Sequence, residues 1–226
     1  MPFLLKYLNQ IKHESALQML ATEQSEETLN LGLADMEESI RMATGRNGVH
    51  FGETINLYGP SGGGKTWALT VLAEHVLRHS NESVIYMDLD GRFIFRRQEQ
   101  QQQPVDNERF HLFQPKRAQL LATVQGVDEW LYRHTDTRVT MVLVDGAAAL
   151  DATLMETLRR YQHKWSYVLV TTSSEPQPNA QCNYRFHVYK NVNTNQVEMK
   201  LAWPSMSSST VSSTTKAFPV TMTMTV

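Results

Sequence analysis

The stretch GETINLYGPSGGGKTWAL, residues Gly52 to Leu69, joins a short apolar run to a glycine-rich turn and then to a helix-forming segment. Thr54 to Tyr58 is bounded by glycines, which predicts a buried strand. Lys65 to His79 repeats Trp67, Ala68, Leu69, Val71, Leu72, Val76 and Leu77 at helical spacing, a wide apolar stripe. Between them GPSGGGKT (Gly59 to Thr66) satisfies the pattern of a glycine, four residues, then Gly-Lys-Ser/Thr. A strand before and a helix after supply the context in which that pattern cradles phosphate. The backbone amides of Gly62, Gly63, Gly64 and Lys65 can point inward there, and the helix start adds positive partial charge. Lys65 is placed to bridge the β and γ phosphates of a nucleotide, and the Thr66 hydroxyl to ligate Mg²⁺. Gly59, Pro60, Ser61 and Trp67 complete the candidate nucleotide-binding run. The alternative is a glycine-rich turn that meets the pattern by chance.

Working outward, Ser83 to Asp90 (SVIYMDLD) is an apolar run ending in two carboxylates, as a parallel strand looks when its C-terminal end opens onto a ligand crevice. RFHLFQP (109–115) reads as a short strand, and residues 117–134 place Leu120, Leu121, Val124, Val127, Trp130 and Leu131 on one helical face despite Gly126. VTMVLVDG (139–146) is the most apolar strand candidate and ends at Asp145; Asp151 is suited to cap the helix that follows. SYVLVTTSS (166–174) is another buried strand. Strands alternating with helices predict an α/β fold with a doubly wound, mainly parallel sheet. Residues 184–204 alternate around NVNTNQ as a hairpin, and 216–226 alternate Phe218, Val220, Met222, Met224 and Val226 as a last strand. The Ser/Thr-rich stretch near 205–215 is expected as a mobile surface loop. RRQEQQQQPVDN (96–107) breaks the pattern and reads as a solvated loop.

The first 45 residues carry short helical patterns, among them Leu17, Leu20 and Ala21, then Leu33, Met36, Glu37 and Ile40, before the glycine break ATGRNG. They are expected as a helical lead-in to a core spanning 46–226. At the start, Phe3, Leu4, Tyr7, Leu8 and Ile11 share a face that either docks a partner or packs on the protein's own core.

The 226 residues suit one domain with a small appendage, and 41% hydrophobic content is enough for a core. The formal charge of −2 gives no overall pull toward nucleic acid or anionic lipid. No stretch approaches the roughly 18 apolar residues of a membrane span. One cysteine, Cys182, forms no internal disulfide, and with no secretory cleavage pattern a reducing intracellular compartment is expected. Eight histidines and that cysteine show no zinc-ligand spacing.

Asp145, at the end of MVLVDG, is the candidate for holding the magnesium hydration shell. A carboxylate to orient and deprotonate water must come from a neighbouring strand end, where Asp88 and Asp90 are offered; Asp90 is the catalytic candidate. Capping or solvated turn carboxylates are the alternative for this pair.

Taken together, the GETINLYGPSGGGKTWAL, VIYMDLD and TMVLVDG segments with the terminal hairpin and last strand resemble the core of the RecA-type recombinases, in the branch of eukaryotic recombinase paralogues. The likeness covers roughly residues 45–226. It implies a RecA-like P-loop NTPase core, ATP at Gly59 to Thr66, Mg²⁺ held through Thr66 and Asp145, and Asp90 where active recombinases carry a glutamate. Aspartate is one methylene shorter, and a misplacement of roughly 1 Å can cost on the order of a hundredfold in rate. The resemblance therefore implies weak or absent turnover.

Recombinases grip single-stranded DNA with mobile loops after two of these strands. Here those connections are GAAALD and TTSSEPQPNA, without a lysine or arginine to neutralise phosphates. Arg92, Arg96 and Arg97 form the best local basic cluster, as a solvated helix face or a DNA contact. The Phe-x-x-Ala hook of filament-forming members is missing, which argues against a homo-filament. The expectation is a nuclear accessory subunit in homologous recombination and double-strand break repair, paired with another recombinase paralogue, meeting DNA mainly through that complex. The competing expectations are a DNA-dependent ATPase motor and a small-molecule kinase.

Overall fold

The computed structural model describes residues 28–93, 107–134, 137–177, 182–202 and 220–222. In chain order these form β1 (Thr28–Leu29), α1 (Ala34–Thr44), β2 (Val49–His50), β3 (Thr54–Tyr58), α2 (Lys65–His79), β4 (Ser83–Asp88), β5 (Phe110–Phe113), α3 (Leu120–Arg133), β6 (Val139–Asp145), α4 (Ala152–Trp165), β7 (Val168–Ser173), β8 (Tyr184–Lys190), β9 (Val197–Leu201) and β10 (Val220–Met222). The fold is α/β around a mostly parallel sheet of order β10-β9-β8-β3-β7-β6-β4-β5. Strands β8, β3, β7, β6, β4 and β5 are parallel; β9 and β10 add antiparallel at one side.

Period-two alternation in the central strands feeds two apolar cores. Val84 and Tyr86, Met141 and Leu143, and Val168 and Val170 face one way, against α2 and α1. Ile85 and Met87, Val142 and Val144, and Leu169 face the other, against α3 and α4. Both faces are covered, which is why these strands read as unbroken apolar runs.

The strand over 54–58 and the helix over 65–79 fall where the sequence predicts them. Asp151 caps α4 by accepting from the Leu154 N–H at 2.8 Å. The lead-in helix expected around Leu33 to Ile40 is α1, which buries Met36 and Ile40 and ends on Gly45. A two-stranded ribbon, β1 antiparallel to β2, was not foreseen: two residues are too few to show alternation. The N-terminal docking face at residues 3–11, the helical pattern at 17–21, Arg96, Arg97, the glutamine run and the Ser/Thr-rich loop lie outside the described residues. Of the expected last strand, Val220–Met222 is described and pairs with β9.

Candidate nucleotide site at the C-terminal sheet edge

In open parallel sheets ligands bind outside the C-terminal strand ends, where connections leave in opposite directions. The chain leaves β3 through α2 for β4, passing over β7 and β6, and returns from β7 to β8 on the far side of β3. A cavity of about 450 Å³ opens at that edge, bordered by the glycine loop, the turn after β4, and the ends of β6 and β7. It is within the usual range for small-molecule sites.

The glycine loop is held by backbone contact with its neighbours. Gly59 has φ +146°, and a Cβ there would stand 2.1 Å from the Val188 carbonyl oxygen of β8. Gly64, the residue before α2, has φ +100°, with Val197 of β9 at 2.6 Å from a Cβ. Two of the glycines thus let the loop lie flat on the β8–β9 hairpin. Of the predicted run, Ser61, Gly62, Gly64, Lys65, Thr66 and Trp67 border the cavity, whereas Gly59, Pro60 and Gly63 are not among its lining residues. The Gly63 N–H donates to the Pro60 carbonyl at 3.1 Å, so this amide, expected to face phosphate, closes the loop's own turn.

Lys65 rests on the loop as well, its Nζ donating to the Gly59 and Pro60 carbonyls at 2.7 and 2.8 Å. Burial pushes its ammonium below the ordinary lysine value, opposed by the charges of Asp145 and Asp90. Next along the helix, the Thr66 hydroxyl donates to Asp145 Oδ2 at 2.6 Å, bringing together the two predicted magnesium ligands. Asp145 is buried and accepts also from Thr172 Oγ1 at 2.6 Å and, more weakly, from the Tyr86 hydroxyl at 3.2 Å. Burial raises the Tyr86 phenol well above its ordinary value, with the Asp145 charge adding to it, so it stays a donor. Asp90 is exposed, borders the same cavity and stands against Gly146, where a Cβ would come within 2.8 Å of its carboxylate.

Asp88 has a different setting. Its carboxylate accepts from the Phe93 N–H at 2.8 Å, the Gln114 amide at 2.8 Å and the Arg92 N–H at 3.3 Å. Burial alone would raise this carboxyl; the Gln114 amide and the N–H groups of Phe93, Arg92 and Gly91 outweigh it and hold the group below its ordinary value. Asp88 is the anchor of its turn, and of the two carboxylates it is Asp90 that reaches the cavity.

Sequence reasoning missed Thr172, Tyr86 and Gly146 as parts of the site. Thr172 had a signal: VLVTTS turns polar at its end, as MVLVDG does. Tyr86 had none, since a tyrosine inside an apolar strand reads as core. Among the described residues no group of three or more His, Cys, Asp or Glu side chains is disposed to hold a metal. A magnesium ion here would ride in on phosphate oxygens, with the Thr66 hydroxyl and Asp145 completing an all-oxygen set of the kind that ion prefers.

Among the described residues no helix is long and apolar enough to cross a membrane. No protein-family model matches the chain, and no curated protein matches it.

Proposed function

We propose that the protein binds Mg·ATP in this cavity and acts as a RecA-type recombinase paralogue: an accessory subunit that joins another paralogue and assists filament assembly on broken DNA in the nucleus. One observation carries the nucleotide part. The loop, Lys65, Thr66, Asp145 and Asp90, predicted from three separate segments, border one cavity at one sheet edge. The hairpin β8–β9 followed by β10 supports the RecA-like assignment over a small-molecule kinase, for which an arginine-rich lid after the core is expected in that place.

Of the chain's own residues, Lys65 would exchange two loop carbonyls for phosphate oxygens, and Thr66 would turn its hydroxyl from Asp145 to the ion. Mg²⁺, when bound, neutralises phosphate charge. Asp90 would hold the attacking water, from a side chain one methylene short, so binding outlasts turnover.

The test is titration of purified protein with a fluorescent ATP analogue, then hydrolysis with and without single-stranded DNA, then isolation of the native protein with its partners. Expected are Mg-dependent binding, turnover far below about 1 s⁻¹, and a co-purifying paralogue. Turnover at or above that rate would support the motor, and phosphorylation of a small acceptor the kinase. Lys65→Ala should abolish nucleotide binding and weaken partner capture; intact capture would make the nucleotide dispensable for assembly.

A further inference from the structure

We propose that Arg92 reads the terminal phosphate of the bound nucleotide in cis, making the site selective for triphosphate over diphosphate; the inference rests on the nucleotide reading above. Arg92 borders the cavity together with Lys65, Asp90 and Asp145. Among the described residues these are its four charged lining groups, two acids and two bases; without Arg92 those that remain offer an anionic ligand a net acidic wall. Several other described arginines are spoken for: Arg46 donates to Glu53 and Tyr184, Arg109 to three backbone carbonyls, and Arg185 to the Gln177 carbonyl. Among the described residues the Arg92 guanidinium has no such partner.

The backbone beneath it is held on both sides. Gly91 turns the chain through φ +67°. Asp88 then accepts from the N–H groups of Arg92 and Phe93, and the buried Phe93 ring packs on Tyr86 and Phe110 at centroid distances of 4.4 and 5.6 Å. An exposed arginine on so anchored a turn starts from a fixed origin, which lowers the entropy lost when its planar fork engages an oxyanion.

Position selects the phosphate. Strands β7 and β6 separate β3 from β4, so the two chain segments lie roughly 14 Å apart across the sheet at about 4.8 Å per strand. The glycine loop takes the inner phosphates at the β3 end, with Lys65 reaching from them toward the terminal one. The turn after β4 meets what projects farthest from that loop, beside Asp90. A cation at this place in cis is a known way of stabilising a terminal phosphoryl group.

The experiment measures affinity of wild type, Arg92→Ala and Arg92→Lys for a non-hydrolysable ATP analogue and for ADP, with Mg²⁺, and thermal unfolding of each without ligand. Arg92→Ala should weaken the triphosphate at least tenfold, as expected for loss of charge-assisted hydrogen bonds, and leave ADP within twofold. Arg92→Lys should fall between. Equal losses for both nucleotides, or none, would overturn the inference while leaving the nucleotide site in place. A wild type that binds neither would overturn both. Loss of single-stranded DNA affinity with unchanged triphosphate affinity would assign Arg92 to DNA instead.

Discussion

Asp88 and Asp145 are register partners at the ends of neighbouring strands, both buried, yet they are held by opposite kinds of donor. Asp145 accepts from side-chain hydroxyls of Thr66, Thr172 and Tyr86, each on a different element. Asp88 accepts from N–H groups of its own turn and from Gln114 just beyond β5. Hydroxyls rotate and can be given up to an ion or a phosphate; backbone amides are tied to the chain's path. A strand end delivers a carboxylate to the sheet edge, and its donors decide whether it serves a ligand or the fold.

That contrast breaks if the two aspartates respond alike to substitution. The largest effect is expected from Asp145→Asn, which removes the charge facing Thr66 and sets an amide against hydroxyl donors: Mg-dependent ATP affinity should fall by tenfold to a hundredfold, with metal-free ADP binding little changed. Calorimetric titration with and without Mg²⁺ checks this, and equal losses in both conditions would make Asp145 structural.

Asp88→Asn should act on stability instead, by about 1–3 kcal/mol at neutral pH, since hydrogen bonds to a buried charge are lost or reversed. The carboxyl is held below its ordinary value in the folded protein, so its contribution is fully present above the unfolded pKa of about 3.9 and drains away as pH falls through the folded one. Denaturant midpoints of Asp88→Asn and wild type should therefore converge in acid. A gap that persists below that range would mean packing, not charge, is at stake.

Thr172→Val tests the hydroxyl side more gently. Its Oγ1 donates to Asp145 and accepts from the Gly146 N–H at 2.8 Å, so the loss is one bond given and one received, about 1–2 kcal/mol in thermal unfolding. The smallest change is Gln114→Ala, about 1 kcal/mol, from a partly exposed amide on Asp88. Nucleotide affinity should not follow the stability loss in that variant, and a parallel drop would place Gln114 in the binding site.

Much of this was legible in the residues because the signals are local. The parallel strands at 54–58, 83–88, 139–145 and 168–173 are apolar runs with polar ends, and α2 carries its stripe in plain view. The glycine loop announces itself by composition. What stayed hidden has physical causes. β1 and β2 are too short for any period, Tyr86 joins the site only by lying beside Asp145, and Thr172 borders the cavity because β7 lies next to β6. The roles of Gly59 and Gly64 also depend on β8 and β9, more than 120 residues away in the chain.

The amino-acid sequence by itself determined the alternation of strand and helix, the loop that suits phosphate and the carboxylates at two strand ends, because each follows from spacing within a few residues. Only the tertiary structure decided which carboxylate looks into the cavity, which loop amide is consumed by a turn and which described arginine borders the cavity without a partner. Those choices depend on donors and backbones that meet through sheet order, and sheet order is a property of contacts far apart in the chain.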